Sequence, residues 1–464
     1  MMEKNELLLK KLLKMSVKYI LSSLIFILVV PLFVKAQMSS LQFEYLSARL
    51  LYEKKWDSLK LISHQRIKQG EDYYYLRYRL GVAYYESHDY RTAATHLEKA
   101  YTFNNGDHYL LEYLYYSYLF GGRERDAQWI AAELPKYLKL KTSTKENKWI
   151  RSIYAEGGTS LSNNFNKNQD VDINDTSNIF GTTDLNNRIL YGHIGLSHQL
   201  GRFLNAYQGF SYINIDKKKL IAYPGRDTVF PYKLNQTEYY INLDFVPVKS
   251  WKITPFFHGQ LVKSTSIDAI YDSVTNTYTT FADETSLSQI IAGAMLQKEW
   301  RKFCFGAFFS FSNINYAKQR QLGVTVTWFP KGNTDLYTYT AITWLNEYKQ
   351  PTNSKLEKNR FIIDQNIGKK IYAKLWVEIG ATLGDLTHYN EKNGFVVYNS
   401  SDKISYRVSA SFIIPLTKQI EFSLRYQYLG KETDMNYYQT ISKQQTKTLN
   451  YQNNNILGGI KWKL

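Results

Sequence analysis

Four histidines in the last two-thirds of the chain are the first candidates for chemistry, because histidine can act as a general base or bind a metal near neutral pH. They are His193, His198, His258 and His388. A hydrolase would also need an activated nucleophile, and a zinc site would need histidines or cysteines at close spacing. The sequence has no Gly-x-Ser-x-Gly segment, no His-x-x-x-His segment and a single cysteine, Cys304. We therefore expect no catalytic residue, no metal ion and no cofactor.

Acidic and basic side chains in the same region fall at alternate positions, on one face of predicted strands. Both signs occur on this face, which is typical of the water-facing interior of a membrane barrel. The residues expected to line this interior are Glu156, Asp244, Lys252, His258, Asp364, Lys374, Glu378, Arg407, Glu421 and Arg425. The pairs expected across neighbouring strands are Asp244 with Lys252, Arg407 with Glu421, and Lys374 with Asp364.

The elements that would position these residues are β-strands of about ten residues. Segment 403–416 places Ile404 and Tyr406 on one face and Ser405 on the other, because successive side chains of a strand point to opposite faces. The same alternation continues through residues 149–464. It favours an antiparallel transmembrane β-barrel, although a large soluble β-sandwich array would also alternate.

Short and long connections alternate between these strands, which is typical of outer-membrane barrels with short periplasmic turns and long external loops. Counting the segments between the connections predicts about 14 strands, with both chain ends of the barrel on the periplasmic side. The short connections lie at Gly201-Arg202, Val248-Lys249-Ser250, Arg301-Lys302, Lys331-Gly332-Asn333, Gly368-Lys369-Lys370 and Thr417-Lys418-Gln419. The long polar ones lie at 162–186, 216–235, 265–286, 347–357, 386–402 and 430–447, with a tighter one near 313–317. Tryptophans on the short-turn side predict an aromatic girdle: Trp149, Trp251, Trp300, Trp328 and Trp462.

Residues 1–36 predict a signal peptide, with a basic segment, an apolar run over 19–34 and a small-residue cleavage site. An uncleaved anchor helix is the alternative. The formal net charge is +17, and the basic residues are scattered over loops and strand ends. Such a surface fits anionic lipid headgroups or acidic polysaccharide, and we expect no nucleic-acid partner. With one cysteine, the chain can form no internal disulfide.

Residues 37–140 change to a helical period and show the spacing of tetratricopeptide repeats (TPR), which recur about every 34 residues. Small residues at Gly81 and Ala93 would let two helices cross closely. A generic helical bundle is the alternative, and residues 141–148 read as a linker. The packing positions are Leu80, Gly81, Tyr84, Ala93, Leu97 and Ala100, repeated at Leu114, Tyr118 and Ala127. The candidate groove residues are Tyr73, Tyr74, Tyr75, Tyr85, Tyr113 and Tyr116, although these tyrosines could equally pack between helices.

A signal peptide, TPR-like units and a C-terminal barrel in this order resemble the YaiO-type outer-membrane barrel proteins. More distantly, the order is similar to that of polysaccharide-exporting TPR–porins. The resemblance implies an α+β multidomain chain, with N-terminal α-helical repeats in the periplasm and an antiparallel transmembrane barrel over residues 149–464. The chain departs from the exporters in having fewer repeats and about two fewer strands. No functional residue is carried over from either family.

These features predict a non-enzymatic, porin-like protein of a Gram-negative outer membrane, in contact with outer-membrane lipid. Its periplasmic repeats would recruit a protein or polysaccharide partner, and its barrel would be a conduit for export. Two alternatives stay open. The barrel could serve only as the anchor of a repeat scaffold in an envelope assembly, or the chain could be an outer-membrane enzyme that modifies lipid or glycan.

Overall fold

The structure is a computed structural model that describes residues 39–142, 149–162, 180–223, 226–272, 274–275, 277–349, 356–440 and 443–464. The predicted signal peptide and nearly all of the predicted linker lie outside these residues. The chain divides into two compact units between Asp72 and Tyr73. This division falls inside the helical region predicted for 37–140, so only part of that region belongs to the same unit as the barrel.

The described residues of the first unit form two helices, α1 (Ser40–Tyr52) and α2 (Trp56–Lys68). Helix α1 begins with a capping box. The backbone N–H of Gln42 donates to Ser39 Oγ at 3.2 Å, and the backbone N–H of Ser39 donates to the Gln42 side chain at 3.0 Å. Buried Arg66 donates to Glu71 at 2.6 Å and to the Ser39 carbonyl at 2.8 Å. These bonds join the start of α1 to the end of α2.

The second unit begins with five helices, here termed the helical module. Asp89 and Asp107 start two of them by accepting hydrogen bonds from first-turn backbone N–H groups, those of Thr92 (3.2 Å) and Tyr109 (2.8 Å). None of the helices in the described part of the chain is long and apolar enough to cross a membrane. The helices are α3 (Tyr74–Glu86), α4 (Tyr90–Phe103), α5 (His108–Phe120), α6 (Glu124–Ala131) and α7 (Lys136–Lys141).

The core of the helical module contains the residues whose spacing repeats in the sequence. A side chain at Gly81 would start 2.6 Å from Leu97 Cδ2, so α3 and α4 approach each other closely because this position has no side chain. Of the nine packing positions, Tyr84 is half-buried and the others are buried: Leu80, Gly81, Ala93, Leu97, Ala100, Leu114, Tyr118 and Ala127.

Residues 150–463 form a closed antiparallel barrel that excludes the soluble sandwich. Its closed order contains fourteen strands, which confirms the predicted barrel and its strand number. The barrel closes where β1 pairs with β16, with Ile153 opposite Trp462. The strands are β1 (Ile150–Ser162), β2 (Phe180–Gln199), β3 (Leu204–Tyr223), β4 (Arg226–Phe245), β5 (Trp251–Asp272), β6 (Thr277–Trp300), β7 (Phe303–Ile314), β8 (Ala317–Trp328), β9 (Leu336–Lys349), β10 (Leu356–Tyr372), β11 (Leu375–Leu383), β12 (Asn390–Glu391), β13 (Val396–Val397), β14 (Lys403–Pro415), β15 (Ile420–Thr440) and β16 (Lys443–Lys463). Strands β12 and β13 form a separate hairpin, and the other strands make the barrel.

The barrel is apolar outside and polar inside. Phe309, Ile379 and Val408 are 45%, 59% and 46% exposed, whereas Gln260 and Asp364 are only 4% and 3% exposed. A soluble sandwich has the reverse arrangement, with an apolar core. An outward apolar belt around a polar interior indicates a barrel that spans a lipid bilayer.

The five tryptophans predicted for the girdle are exposed, and all lie beside strand ends on the short-turn side. At this position an indole ring can bury its apolar body in lipid while its N–H group remains near water. Trp149 precedes β1, Trp251 begins β5, Trp300 and Trp328 end β6 and β8, and Trp462 lies one residue before the end of β16.

Three of the predicted long loops are instead continuations of paired strands. Apolar and polar residues do not alternate strictly in these parts of the hairpins, so the sequence signal of a strand is weak there while the backbone pairing continues. Pairing reaches Tyr223 with Arg226 in the loop predicted at 216–235, Asp272 with Thr277 in that at 265–286, and Thr440 with Lys443 in that at 430–447.

The turn predicted at Gly368-Lys369-Lys370 is also wrong. Gly368 lies inside β10, opposite Glu378 of β11, and the chain turns at Ala373-Lys374 instead. A side chain at Gly368 would start 2.2 Å from Cζ of Tyr337, so this glycine makes room for an aromatic ring. Lys374 is exposed in the turn, and its predicted place in the interior beside Asp364 is therefore wrong.

Candidate functional site

The lumen of the barrel is crossed by residues 384–402, here termed the plug, which connect β11 to β14 and include the β12–β13 hairpin. Leu386 and Tyr389 are 0% and 2% exposed and pack with Ile362 and Ile404. The sequence predicted an external loop over 386–402, and this prediction is wrong. The apolar side chains of the segment are buried against the inner wall, where they lose contact with water.

The plug also bonds to the wall that lies opposite its attachment. Tyr240 of β4 donates to the Asn393 carbonyl at 3.0 Å, and His258 Nδ1 of β5 lies 2.7 Å from the Gly394 carbonyl oxygen. In the closed strand order, β4 and β5 lie across the barrel from β11 and β14. The plug therefore spans the lumen. Further contacts are Asn399 Nδ2 to Gln236 Oε1 (3.0 Å), Asn390 N–H to Gln321 Oε1 (3.0 Å) and the Phe395 ring against His193 (5.2 Å between centroids).

A buried ion cluster holds the plug to the wall. Arg407 donates to the Glu391 carboxylate and, at 2.5 Å, to the Tyr398 hydroxyl, and both partners belong to the plug. Its other nitrogen donates to Thr382 (2.6 Å) and Asp364 (3.3 Å) of the wall. Arg407, Glu391 and Asp364 are each at most 5% exposed. Removing one charge from such a cluster leaves the others uncompensated away from water.

Of the three predicted pairs across strands, the structure contains one, in which Lys252 Nζ lies 3.9 Å from Asp244. Arg407 does not pair with Glu421, because the register places Glu421 opposite Pro415. That position is eight residues from Arg407 along β14, or about 26 Å at ~3.3 Å per residue. Among the other predicted interior residues, Glu156 accepts from Tyr154 (2.6 Å) and lies 3.7 Å from Arg425, Glu378 accepts from Tyr337 (2.6 Å), and Glu421 pairs with Lys463 (3.1 Å).

The histidines do not form a site with the geometry of a hydrolase. His193 Nδ1 lies 2.9 Å from Ser211 Oγ, but its Nε2 lies 2.6 Å from the Tyr207 hydroxyl rather than from a carboxylate. The sequence missed this pair because it depends on the β2–β3 register, which places residues 193 and 211 opposite each other. His198 packs against Trp149 at 5.1 Å, and His388 Nδ1 lies 3.1 Å from Glu347. The described residues include no group of three or more His, Cys, Asp or Glu that could hold a metal ion.

A chamber of about 470 Å³ lies between the plug and the inner wall formed by β1–β6 and β14–β16. Its volume is within the ~300–1,000 Å³ range of small-molecule sites. Charged side chains of both signs line it, namely Glu156, Glu238, Lys217, Arg425 and Lys431. The sequence predicted Glu156 and Arg425 as interior residues but missed the others.

The helical module is docked on the short-turn end of the barrel through buried Arg91 of α4, which is 1% exposed. Its Nε donates to the Gly121 carbonyl at 2.8 Å, and Nη1 donates to Glu299 at 2.8 Å. The guanidinium carbon lies 3.6 Å from the centre of the Phe329 ring. The backbone N–H of Arg91 donates to the Gly332 carbonyl at 2.8 Å. A single residue thus bonds α5 and two turns of the barrel to α4.

A second buried arginine, Arg123, precedes α6. It donates to Asp126 at 2.8 Å and to Ser250 Oγ at 2.6 Å, and it lies 2.9 Å from Glu98. Asp126 in turn accepts from the Ser250 backbone N–H at 2.8 Å. Burial alone would lower the pKa of Arg123, but the carboxylates of Glu98 and Asp126 outweigh it and hold the pKa above its usual range. Arg123 therefore stays charged beside Glu98 and Asp126 in the docked state.

Partly exposed contacts continue this docking around the rim. Together they involve the turns β2–β3, β4–β5, β6–β7 and β8–β9, so the helical module sits on the barrel itself and does not depend on the linker for its position. Burial lowers the pKa of Lys249, whose ammonium lies 3.6 Å from the centre of the Tyr101 ring. The other contacts are Lys302 with Asp89 (2.7 Å), Arg125 with Asp244 (2.8 Å), Arg202 with Glu133 (2.5 Å) and Asn333 Nδ2 with the His88 carbonyl (3.1 Å).

A continuous row of aromatic rings, here termed the aromatic strip, runs along the helical module. It contains four of the predicted groove tyrosines. Tyr75 lies at its edge, 5.2 Å from Tyr74 and 56% exposed, and Tyr73 precedes α3. Successive ring centroids are Tyr74–Tyr78 (5.8 Å), Tyr78–Tyr113 (6.2 Å), Tyr113–Tyr85 (5.1 Å), Tyr85–Tyr90 (5.3 Å), Tyr90–Phe120 (5.2 Å) and Phe120–Tyr116 (5.5 Å).

Tyr78, Tyr90 and Phe120 also belong to the strip but were not predicted, although the sequence carries a signal for Tyr78. Tyr74 and Tyr78 are four residues apart and therefore share a helix face. Tyr90 and Phe120 join the strip only through the packing of α4 and α5. Burial raises the pKa of Tyr78 and Tyr85, so these two phenols are neutral at physiological pH. Both remain hydrogen-bond donors.

No protein-family model and no curated protein matches this chain. Solved structures share its barrel only in outline. They include the toluene transporter TodX of Pseudomonas putida (6% identity, TM-score 0.44, covering 68% of this chain and 90% of that chain) and a FadL homologue of Pseudomonas aeruginosa (8%, 0.42, 75% and 94%). A bacterial polysaccharide outer membrane secretin is also similar (7%, 0.33, 68% and 98%). At these TM-scores the likeness carries no argument about what this protein does.

Proposed function

We propose that this protein is a non-enzymatic outer-membrane barrel that presents its helical module as a docking surface for a periplasmic protein or polymer. The observation that carries the proposal is the aromatic strip, on a module fixed to the barrel by buried Arg91 and Arg123. Tyrosine combines apolar area with a hydroxyl donor and is enriched at recognition surfaces. Docking on the barrel would give this surface one orientation relative to the membrane.

The short-turn end is assigned to the periplasm in this proposal, because outer-membrane barrels place short turns there and long connections outside. The burial of the repeat positions supports two TPR-like helix pairs, α3 with α4 and α5 with α6. Stacked repeats of this kind serve as binding surfaces. The predicted signal peptide is compatible with export to the periplasm.

The barrel is an anchor in this proposal, since the plug fills its middle. A gated conduit for polysaccharide or other export is the second candidate. It is favoured by the plug being one continuous segment whose contacts with β4 and β5 include hydrogen bonds that water can replace. A lipid- or glycan-modifying enzyme has less support, because the Ser211–His193 pair is oriented by a phenol.

Site-specific cross-linking in cells tests the docking surface. A photoreactive amino acid at Tyr75, beside the aromatic strip, should cross-link a defined envelope component. The same probe at Tyr316, which is 81% exposed in the β7–β8 turn at the opposite end, is the matched control. We expect the adduct at position 75 alone.

The double substitution Tyr85→Ala and Tyr113→Ala should abolish the adduct at position 75, because it removes the middle of the strip. The protein must still fold, as judged by its heat-modifiable migration in detergent gels. Equal adducts at positions 75 and 316, or an adduct that persists in the double variant, would show that the strip is not the docking surface.

A further inference from the structure

The chamber beside the plug contains two lysines that form no ion pair in the part of the chain that the structure describes. Lys431 is 6% exposed and lines the chamber with Lys217. Neither makes a hydrogen bond or ion pair with any residue that the structure describes; each has only a distant contact with a ring, at 5.8 Å for Lys431 with Tyr451 and 5.9 Å for Lys217 with Tyr232. A lysine buried without a partner is rare in proteins, because its charge loses hydration without compensation.

The surrounding charges do not neutralise this pair. Asp402 is close enough to attract Lys431, while Lys217 repels it. The Asp402 carboxylate already accepts from Asn186 Nδ2 at 2.7 Å and from the Tyr451 hydroxyl. The carboxylate that attracts Lys431 is therefore bonded elsewhere, while Lys217 adds a second positive charge nearby.

The other charges of the chamber are paired separately. Glu156 lies 3.7 Å from Arg425, and Glu238 accepts from Gln236 at 2.5 Å and Gln260 at 2.7 Å. They offer no compensation to the two lysines by direct contact. The lysine end of the chamber is therefore suited to an anionic group, which would be held by charge-assisted hydrogen bonds.

The walls of the chamber carry polar side chains that can hydrogen-bond to a ligand. They include Ser160, Ser401 and Gln427. Small-molecule sites orient their ligands through a few polar groups of this kind. Tyr191 and Phe395 add aromatic surface to the same lining. Polar side chains, aromatic rings and a cationic end together match a small molecule that carries hydroxyl groups and a carboxylate.

We infer that the chamber is a binding site for a small acidic sugar, with its carboxylate between Lys217 and Lys431. The hydroxyl groups of the sugar hydrogen-bond to the polar side chains of the wall, and a sugar face packs against the aromatic rings. The volume of about 470 Å³ accommodates a molecule of this class. This inference concerns the barrel lumen and is independent of the docking surface on the helical module.

Calorimetry on the full-length protein in detergent tests the site, with digalacturonic acid as probe and maltose as the neutral control. We expect digalacturonic acid to bind at one site and maltose to bind at least about tenfold more weakly, which corresponds to one charge-assisted hydrogen bond. Lys431→Met and Lys217→Met should each weaken the binding of digalacturonic acid by about tenfold or more. Binding should also weaken as salt rises, to a smaller extent than at an exposed site.

Lys418→Met is the matched control, since it removes the same charge from the exposed β14–β15 turn, and it should bind as the unchanged protein does. If Lys431→Met does not fold, Lys217→Met and the comparison with maltose decide the question. Absence of binding, equal binding of maltose and digalacturonic acid, or unchanged binding in both lysine variants would overturn the inference.

Discussion

At the scale of single residues, buried arginines make the contacts that join distant parts of the chain. Arg91 joins α4 to Glu299 of the barrel, 208 residues away in sequence. Arg407 joins the plug to the wall through Glu391. In both cases the guanidinium is buried and donates several hydrogen bonds, which suits its planar set of donors. A lysine could not make the same set of bonds, because it offers a single point charge.

Arg91→Met should loosen the helical module. Removing one partner of a buried pair costs about 3–5 kcal/mol, and we expect the lower end because Glu299 keeps some access to water. The free energy of local opening of α4, measured by hydrogen exchange, should fall accordingly. Arg125→Met is the control, because its pair with Asp244 is partly exposed, and it should cost about 1 kcal/mol or less. Equal protection of α4 in the Arg91 variant and the unchanged protein would contradict the docking role.

Tyr101 gives the docked state a dependence on alkaline pH. Burial and the hydrogen bond from its hydroxyl to Glu133 (2.5 Å) raise its pKa from 10.0 to about 12. Since the pKa is higher in the folded state, the contact stabilises fully below pH 10 and is lost as the pH rises through about 12. In Tyr101→Phe this part of the stability is absent at every pH. The free energy of unfolding of the helices can be measured between pH 9 and 12 by urea titration followed by circular dichroism. It should fall less steeply with rising pH in the variant than in the unchanged protein. Identical slopes would count against a contribution from Tyr101.

At the scale of elements, the strands and most short turns could be predicted because lipid and water impose a strict alternation on residues within the apolar belt. The outer halves of the hairpins could not be predicted, since apolar and polar residues do not alternate strictly there. The prediction of a turn at Gly368 was wrong for another reason. Glycine marks a turn in sequence, but it also marks a place where a ring such as Tyr337 packs against the backbone.

Gly81→Val tests whether close contact between α3 and α4 organises the helical module. The new side chain would start 2.6 Å from Leu97 Cδ2, and Leu97 is completely buried and cannot move aside. Overpacking of this kind costs about 1–3 kcal/mol. The amide hydrogens of α3 and α4 should therefore exchange faster in this variant, in proportion to the lost stability. Gly192→Val is the control, because a side chain there meets no atom within 4 Å, and unaltered exchange in the Gly81 variant would exclude the close contact.

At the scale of the whole molecule, the sequence predicted the barrel and a helical region but not their arrangement. The contacts that decide it involve residues far apart in the chain, such as Arg91 with Glu299 and Asn393 with Tyr240. No local pattern encodes such pairs. The sequence predicted part of the buried ion cluster. Asp364 and Arg407 lie in the lumen as expected, but their partner Glu391 belongs to the plug, whose polar composition had predicted an external loop.

The plug decides whether the barrel conducts, and a deletion can test it directly. Leu386 N–H donates to the Ile404 carbonyl at 2.8 Å, so the ends of the plug are already adjacent. Replacing residues 387–401 with Asn-Gly leaves a four-residue connection, which is a common hairpin length. The unchanged protein should be silent in planar lipid bilayers, because the plug spans the lumen. The deletion variant should show discrete ion steps, since its polar inner wall would line an aqueous path.

Two comparisons make the result specific. Shortening the β5–β6 hairpin at its tip, Asp272–Thr277, removes a connection at the same end without touching the lumen, and this variant should stay silent. Adding Arg91→Met to the plug deletion should increase the conductance, because the helical module covers part of the short-turn mouth. Steps from the unchanged protein would show that the plug does not close the barrel. A folded deletion variant that remains silent would eliminate the gated conduit and leave the barrel as the anchor of its helical module.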